Sequence, residues 1–134
     1  MEDEDSGSDG LPENRVRRIS LVRKDDARGS LLPFDFASLP FLPQRLFVVH
    51  EVPPGTARGG HAHKRARQLL VCLVGRIDVE LRDGGLTETV ILDSADSGLL
   101  IEAGVWSAQT YVAPGSILLA LASEPYDAGS YLDP

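Results

Sequence analysis

The stretch 55–75, GTARGGHAHKRARQLLVCLVG, decides how the rest of the chain is read. It opens on Gly55, sets His61 and His63 two positions apart, puts Gln68 at the head of the apolar run LLVCLV and closes on Gly75. Side chains alternate along a β-strand, so two histidines separated by one residue face the same way. A short, continuous apolar run bounded by a glycine fits a strand packed on both faces. Together these features describe the wall of a cavity in a β-protein, with two titratable rings in one space. Without a metal between them, such rings suit proton transfer near neutral pH.

Outward from that stretch, short β-type runs alternate with turn signals: VRRISLV at 16–22, SLLPF at 30–34, RLFVVHEV at 45–52, RIDVELRD at 76–83, TETVILD at 87–93, VWSAQTYV at 105–112 and SILLALAS at 116–123. No segment sustains a helical period. In RIDVELRD, Ile77, Val79 and Leu81 alternate with Asp78, Glu80 and Arg82, which predicts one buried and one wet face. Asp83, Gly84 and Gly85 then supply a tight hairpin into TETVILD. LLVCLV and ILLALA, apolar throughout, are expected as central strands. Many short strands separated by Gly and Pro turns predict an antiparallel, all-β barrel or jelly roll, with a ligand cavity between its sheets.

The 134 residues fit one small domain. The formal charge of −7 is unevenly spread: residues 1–14 hold six carboxylates and no Lys or Arg, which leaves 13 basic against 14 acidic groups in 15–134. Residues 1–14 are therefore expected as a disordered acidic tail and 15–134 as the domain. A near-neutral domain argues against a nucleic-acid surface. The lone Cys72 lies inside LLVCLV and is expected as a buried small hydrophobe. Neither a signal-peptide pattern nor an 18-residue apolar run is present, so a soluble cytoplasmic protein is expected, with no membrane partner.

The glycine, histidine and glutamine spacing of 55–75 is similar to the first cupin motif, with Gln68 standing where that motif has a glutamate. More specifically, Arg58, Gly59, His61, Ala62, His63 and Lys64 resemble the core of the sugar-nucleotide 3,4-ketoisomerases of the WxcM-like, FdtA-type cupin family. Arg28-Gly29 with Leu32, Pro40-Phe41 followed by Arg45, Trp106, and Ala122-Ser123 with Tyr126, Asp127 and Tyr131 extend the resemblance over roughly 28 to 131.

The resemblance implies a cupin double-stranded β-helix that forms a homodimer. It implies movement of the carbonyl of a thymidine-diphosphate-linked 4-keto-6-deoxyhexose from C4 to C3, without a metal or other cofactor. Positioned bases next to a ketone can carry this out through an enediol or enediolate, and His61 and His63 share the base and proton-shuttle roles. Arg45 and Arg58 are expected to bind diphosphate. Trp106 is a candidate to stack on a base or sugar, and Gln68 is a further candidate substrate contact. His50, without a partner nearby in sequence, is read as structural.

Two departures from the family pattern bear on the chemistry. Ser107 stands where many members have a histidine after the tryptophan, and Phe47-Val48 stands where an aromatic pair is common. With Gln68 in place of glutamate, only two strong metal ligands remain. A sugar-nucleotide epimerase and a non-catalytic carbohydrate- or nucleotide-binding cupin are the alternatives.

Overall fold

The computed structural model describes residues 10–132. In chain order the strands are β1 Val16–Ser20, β2 Lys24–Asp26, β3 Gly29–Leu31, β4 Arg45–Val49, β5 Thr56–His63, β6 Gln68–Val74, β7 Ile77–Asp83, β8 Leu86–Leu92, β9 Ser97–Ile101, β10 Trp106–Tyr111, β11 Ile117–Ala122 and β12 Tyr131–Leu132. One sheet has the order β1-β9-β6-β11-β4 and the other β12-β5-β10-β7-β8; β2 and β3 form a separate hairpin. Every pairing is antiparallel. This is the cupin double-stranded β-helix.

The expected hairpin is present, with Asp83 opposite Leu86 and Gly84-Gly85 as its two-residue loop. Ile77, Val79 and Leu81 are fully buried, as their alternation requires. β6 and β11 lie side by side within the first sheet, which is why their runs are apolar on both faces. Leu70, Cys72, Leu118 and Ala120 pack inward against the second sheet. Leu69, Val71 and Leu121 pack outward beneath Ile19, Leu21, Leu32, Phe34, Leu39 and Phe41. The segment before β4 thus covers the outer face of the first sheet.

Several expectations need correction. Residues 1–9 of the expected tail lie outside the described residues, but residues 10–14 do not behave as tail. Leu11 is buried in the core, its amide donates to Glu88 Oε1 at 3.0 Å, and Pro12 O accepts from the amides of Arg15 and Val16. One apolar side chain with a slot between the sheets outweighs the polar composition around it. β9 had no counterpart among the expected strands. SGLLI is buried in four of its five residues, and Gly98 allows Leu69 to cross it closely. SLLPF contributes only its first residues to β3, because Pro33 cannot donate to a ladder.

The decisive local irregularity is in β5. Opposite β10, Ser107 pairs with His61, Ala108 with Gly59 and Gln109 with Arg58, so Gly60 is an extra residue. Strict alternation would put Arg58 and His61 on opposite faces. The bulge resets the phase, and Arg58 joins both histidines on the inner face. Gly59 and Gly60 take φ of 87° and 84°, a region that side-chain-bearing residues avoid. A Cβ on Gly59 would stand 2.8 Å from Gln109 Oε1. Gly59→Ala is therefore expected to destabilise the fold by about 1–3 kcal/mol, read as a lowered midpoint in denaturant unfolding. An unchanged midpoint would mean that the bulge tolerates a side chain.

Candidate active site

The inter-sheet space is unevenly filled. Toward β7, β8 and β9 it is closed by Val79, Leu81, Val90, Leu92, Leu99 and Ile101. Toward β4 and β5 it opens into a cavity of about 750 Å³ including its mouth. The polar part of the wall comes from Arg58, His61 and His63 on β5, Ser107, Gln109 and Tyr111 on β10, Arg45 on β4, Gln68 on β6 and Tyr131 on β12. No carboxylate belongs to this wall among the described residues.

Of the residues singled out in the sequence, His61, His63, Arg45, Arg58 and Gln68 come together in this cavity. The two imidazole centroids are 6.2 Å apart with their planes at 82°. The backbone of His63 is pinned from both sides: its carbonyl accepts from the Gly104 amide at 2.8 Å, and Tyr131 is its strand partner on β12. Burial is the main influence that lowers the pKa of His63 from the ordinary 6.5, and the positive charges available to His61 and Arg45 act in the same direction. The neutral ring, the form able to accept a proton, is thus favoured.

Both cavity arginines lack a carboxylate partner among the described residues. Other guanidiniums are paired with carboxylates, Arg15 with Asp83, Arg67 with Glu102, Arg76 with Asp78 and Arg82 with Glu80, whereas Arg18 on β1 donates to Ser97 Oγ and the Ile91 carbonyl. The Arg45 guanidinium lies 4.7 Å from the Phe47 ring centre and 5.0 Å from that of Tyr126. These cation–π contacts orient the group without consuming its N–H donors. Phe47, where an aromatic pair was looked for, has this supporting task.

Trp106 is a correction. Its neighbours Ser107, Gln109 and Tyr111 alternate inward, so Trp106 falls on the outer face of β10. There its ring lies 4.4 Å from the Arg82 guanidinium, with Cζ2 4.0 Å from where a Cβ on Gly60 would stand. It backs the bulge rather than lining the cavity. Three inward residues of β10 had not been singled out as site residues. Ser107 accepts from Gln109 Nε2 at 3.2 Å, and the Tyr111 hydroxyl is buried without a partner among the described residues. The alternation of VWSAQTYV was the available signal. Burial pushes the Tyr111 phenol up to about 12, so it remains a hydrogen-bond donor at neutral pH.

The fold and this cavity define a cupin whose ligand wall is built of imidazoles, guanidiniums and neutral hydrogen-bonding groups. The FdtA family model, described as WxcM-like, C-terminal, matches residues 14–133, and the chain belongs to that family. The TDP-4-oxo-6-deoxy-alpha-D-glucose-3,4-oxoisomerase of Aneurinibacillus thermoaerophilus is 34% identical over 121 residues, covering 90% of this chain and 86% of its own. QdtA, a sugar 3,4-ketoisomerase from Thermoanaerobacterium thermosaccharolyticum solved in complex with TDP, superposes with a TM-score of 0.85 at 30% identity, covering 90% of this chain and 88% of its own. The WlaRB TDP-quinovose 3,4-ketoisomerase from Campylobacter jejuni gives 0.83 at 33%, covering 89% and 92%. No helix among the described residues is long and apolar enough to cross a membrane.

The state of His63 is directly measurable. Its ring should titrate with a midpoint below 6.5 in NMR spectra of the ligand-free protein. As pH falls below 6.5, the unfolded chain takes up a proton that the folded chain refuses, so stability should decline through that window. A midpoint at or above the ordinary value would refute the electrostatic description of this wall.

Proposed function

We propose that the protein is a TDP-sugar 3,4-ketoisomerase that moves the carbonyl of a TDP-4-keto-6-deoxyhexose from C4 to C3. In this reading His63 is the base and His61 its partner in proton transfer. The observation that carries it is the make-up of the cavity wall: two neighbouring imidazoles and two guanidiniums without carboxylate partners, with no acid among the described lining residues. Such a wall suits a dianionic diphosphate, whose oxygens accept paired bonds from guanidinium. Arg45 and Arg58 take that role, and the Gln68 amide serves the sugar.

The C3 proton of a 4-keto sugar is adjacent to the carbonyl and acidic enough for a positioned imidazole. Neutral His63 takes it, the C–H electrons form the C3=C4 bond, and the C4 oxygen gains a proton to give an enediol. The C3 hydroxyl then loses its proton as C3=O forms, and the C3=C4 electrons take up a proton at C4. One carbon is oxidised as its neighbour is reduced, so no external oxidant or reductant enters the balance. Charge developing on oxygen is met by N–H donors already fixed in the wall.

The cavity wall offers a metal two imidazoles and, beyond them, only the neutral amides of Gln68 and Gln109 and hydroxyls, and among the described residues no three His, Cys, Asp or Glu side chains converge. Catalytic zinc sites take three such protein ligands. This donor set does not fit a resident transition metal, and metal-independent catalysis belongs to the proposal. A soluble nucleotide sugar as substrate is in keeping with a cytoplasmic location. A homodimer completes the reading, supported by the exposure of Leu46 at 55% and Val48 at 46% on the edge strand β4.

Incubation with TDP-4-keto-6-deoxyglucose in deuterated water tests the reaction. A 3-keto product carrying deuterium at C4 is the expected result. Inversion at a carbon with the ketone left in place would make the protein an epimerase, and absence of both exchange and product would make it a binding cupin. His63→Asn should lower kcat by roughly 10²–10⁴-fold, the range of a lost general base.

The arginines are tested by affinity. Arg58→Gln should weaken TDP binding by roughly tenfold to a hundredfold, since a hydrogen bond to a charged group contributes about 1.5–3 kcal/mol. Calorimetry that finds the same Kd for the variant and the unaltered protein would remove Arg58 from the diphosphate site.

A further inference from the structure

An imidazole that moves a proton must hold one ring orientation, and that usually comes from a hydrogen bond made by its other nitrogen. Here that device is missing. No carboxylate lines the cavity among the described residues, and the hydrogen bond between wall side chains runs from Gln109 to Ser107 without involving either imidazole. What touches the rings instead is Tyr131. Its ring lies over that of His61 at 4.5 Å with the planes 13° apart, and meets His63 edge-on at 4.7 Å with the planes at 90°. A single phenol ring thus contacts both imidazoles, one by its face and one by its edge.

Tyr131 is itself held firmly. Asp127 begins the 128–130 turn, its side chain accepting from the Gly129 amide at 3.0 Å and its carbonyl from Ser130 Oγ at 2.7 Å. The Lys64 amide donates to Ser130 O at 2.7 Å, and β12 then pairs with β5, so that Tyr131 stands opposite His63. Tyr126 supports the ring from behind, edge to face at 6.2 Å, while its own face receives the Arg45 guanidinium. Both sheets are thereby connected to the imidazole pair through two tyrosines.

We infer that Tyr131 is a positioning residue, its ring seating His61 and His63 in the orientation from which they exchange protons with the substrate. The inference rests on the ketoisomerase reading for its kinetic consequence but not for its structural one. Face-on stacking limits rotation of the His61 ring about its outer torsion, and the edge contact limits that of His63. Loss of the ring would also open His63 to water. The charged and titratable groups that share the cavity wall with His63 are Arg58 and His61 on its own strand, Arg45 on β4, Tyr111 on β10 and Tyr131 on β12. None is a carboxylate, so added hydration should raise its titration midpoint toward 6.5.

The test begins with the unaltered protein without substrate. NMR should show ring-current shifts of the His61 ring protons and cross-peaks from Tyr131 to both imidazoles; their absence in the folded protein would overturn the inference, whatever the variants do. Tyr131→Leu should move the His63 midpoint upward and lower kcat by about a hundredfold with little change in KM, the scale expected of a misplaced reacting group. Tyr131→Phe, which keeps the ring and loses the hydroxyl, should recover most of both effects. A Phe variant as impaired as the Leu variant would make the hydroxyl the active element, and a Leu variant with unshifted midpoint and retained kcat would leave Tyr131 a structural residue; either result overturns the inference. Because the spectra need no substrate, they judge Tyr131 even if the deuterium experiment fails to yield a 3-keto product.

Discussion

The structure depends on a single inserted residue. A strand carrying Arg58, His61 and His63 cannot present all three to one side under strict alternation, yet all three line the cavity. Gly60 absorbs the mismatch as a bulge against β10, and the positive φ of Gly59 and Gly60 leaves glycine as the residue that fits there with least strain. Trp106 fills the space beside the bulge from outside, and Gln109 and Ser107 lie along its inner side. Fold and site are joined at this point, because the irregularity that bends the ladder also sets the phase of the ligand wall.

From the bulge follows a division of the sandwich into two ends with different physics. At the closed end, the inward residues of β7, β8 and β9 are aliphatic and exclude water, supplying the apolar burial that stabilises the fold. At the open end, β5, β10 and β4 turn polar residues inward, where each unpaired group loses hydration. The buried Tyr111 hydroxyl, without a partner among the described residues, is destabilising unless something occupies the space. Among the described residues, Arg45 and Arg58 in the cavity wall lack the carboxylate partner that Arg76 has in Asp78.

The C-terminal segment completes the open end without entering the main ladder at length. β12 is only two residues long, but it joins β5 at the histidine pair and brings an aromatic ring into the wall. Tyr126, a few residues earlier, lies against the arginine of β4. The two tyrosines span from one sheet to the other where the sandwich would otherwise gape.

What the sequence by itself determined was the class of the fold and the common face of His61 and His63. Alternation in RIDVELRD, the glycine hairpin after it and the unbroken apolar runs of β6 and β11 are local signals, and local backbone geometry follows them. The His61/His63 spacing was equally legible, because period two holds over three residues whatever lies around them. Contacts distant in sequence were not legible. Leu11 reads as part of a polar tail until a slot between the sheets is seen to receive it. Trp106 reads as a ligand-stacking ring until the phase of β10 turns it outward. Tyr131 reads as part of the closing family match until β12 zips onto β5 and sets it opposite His63, 68 residues earlier. Tertiary structure decided these points for one physical reason: which face a side chain occupies depends on register and bulges, and those are set by pairing between strands far apart in the chain.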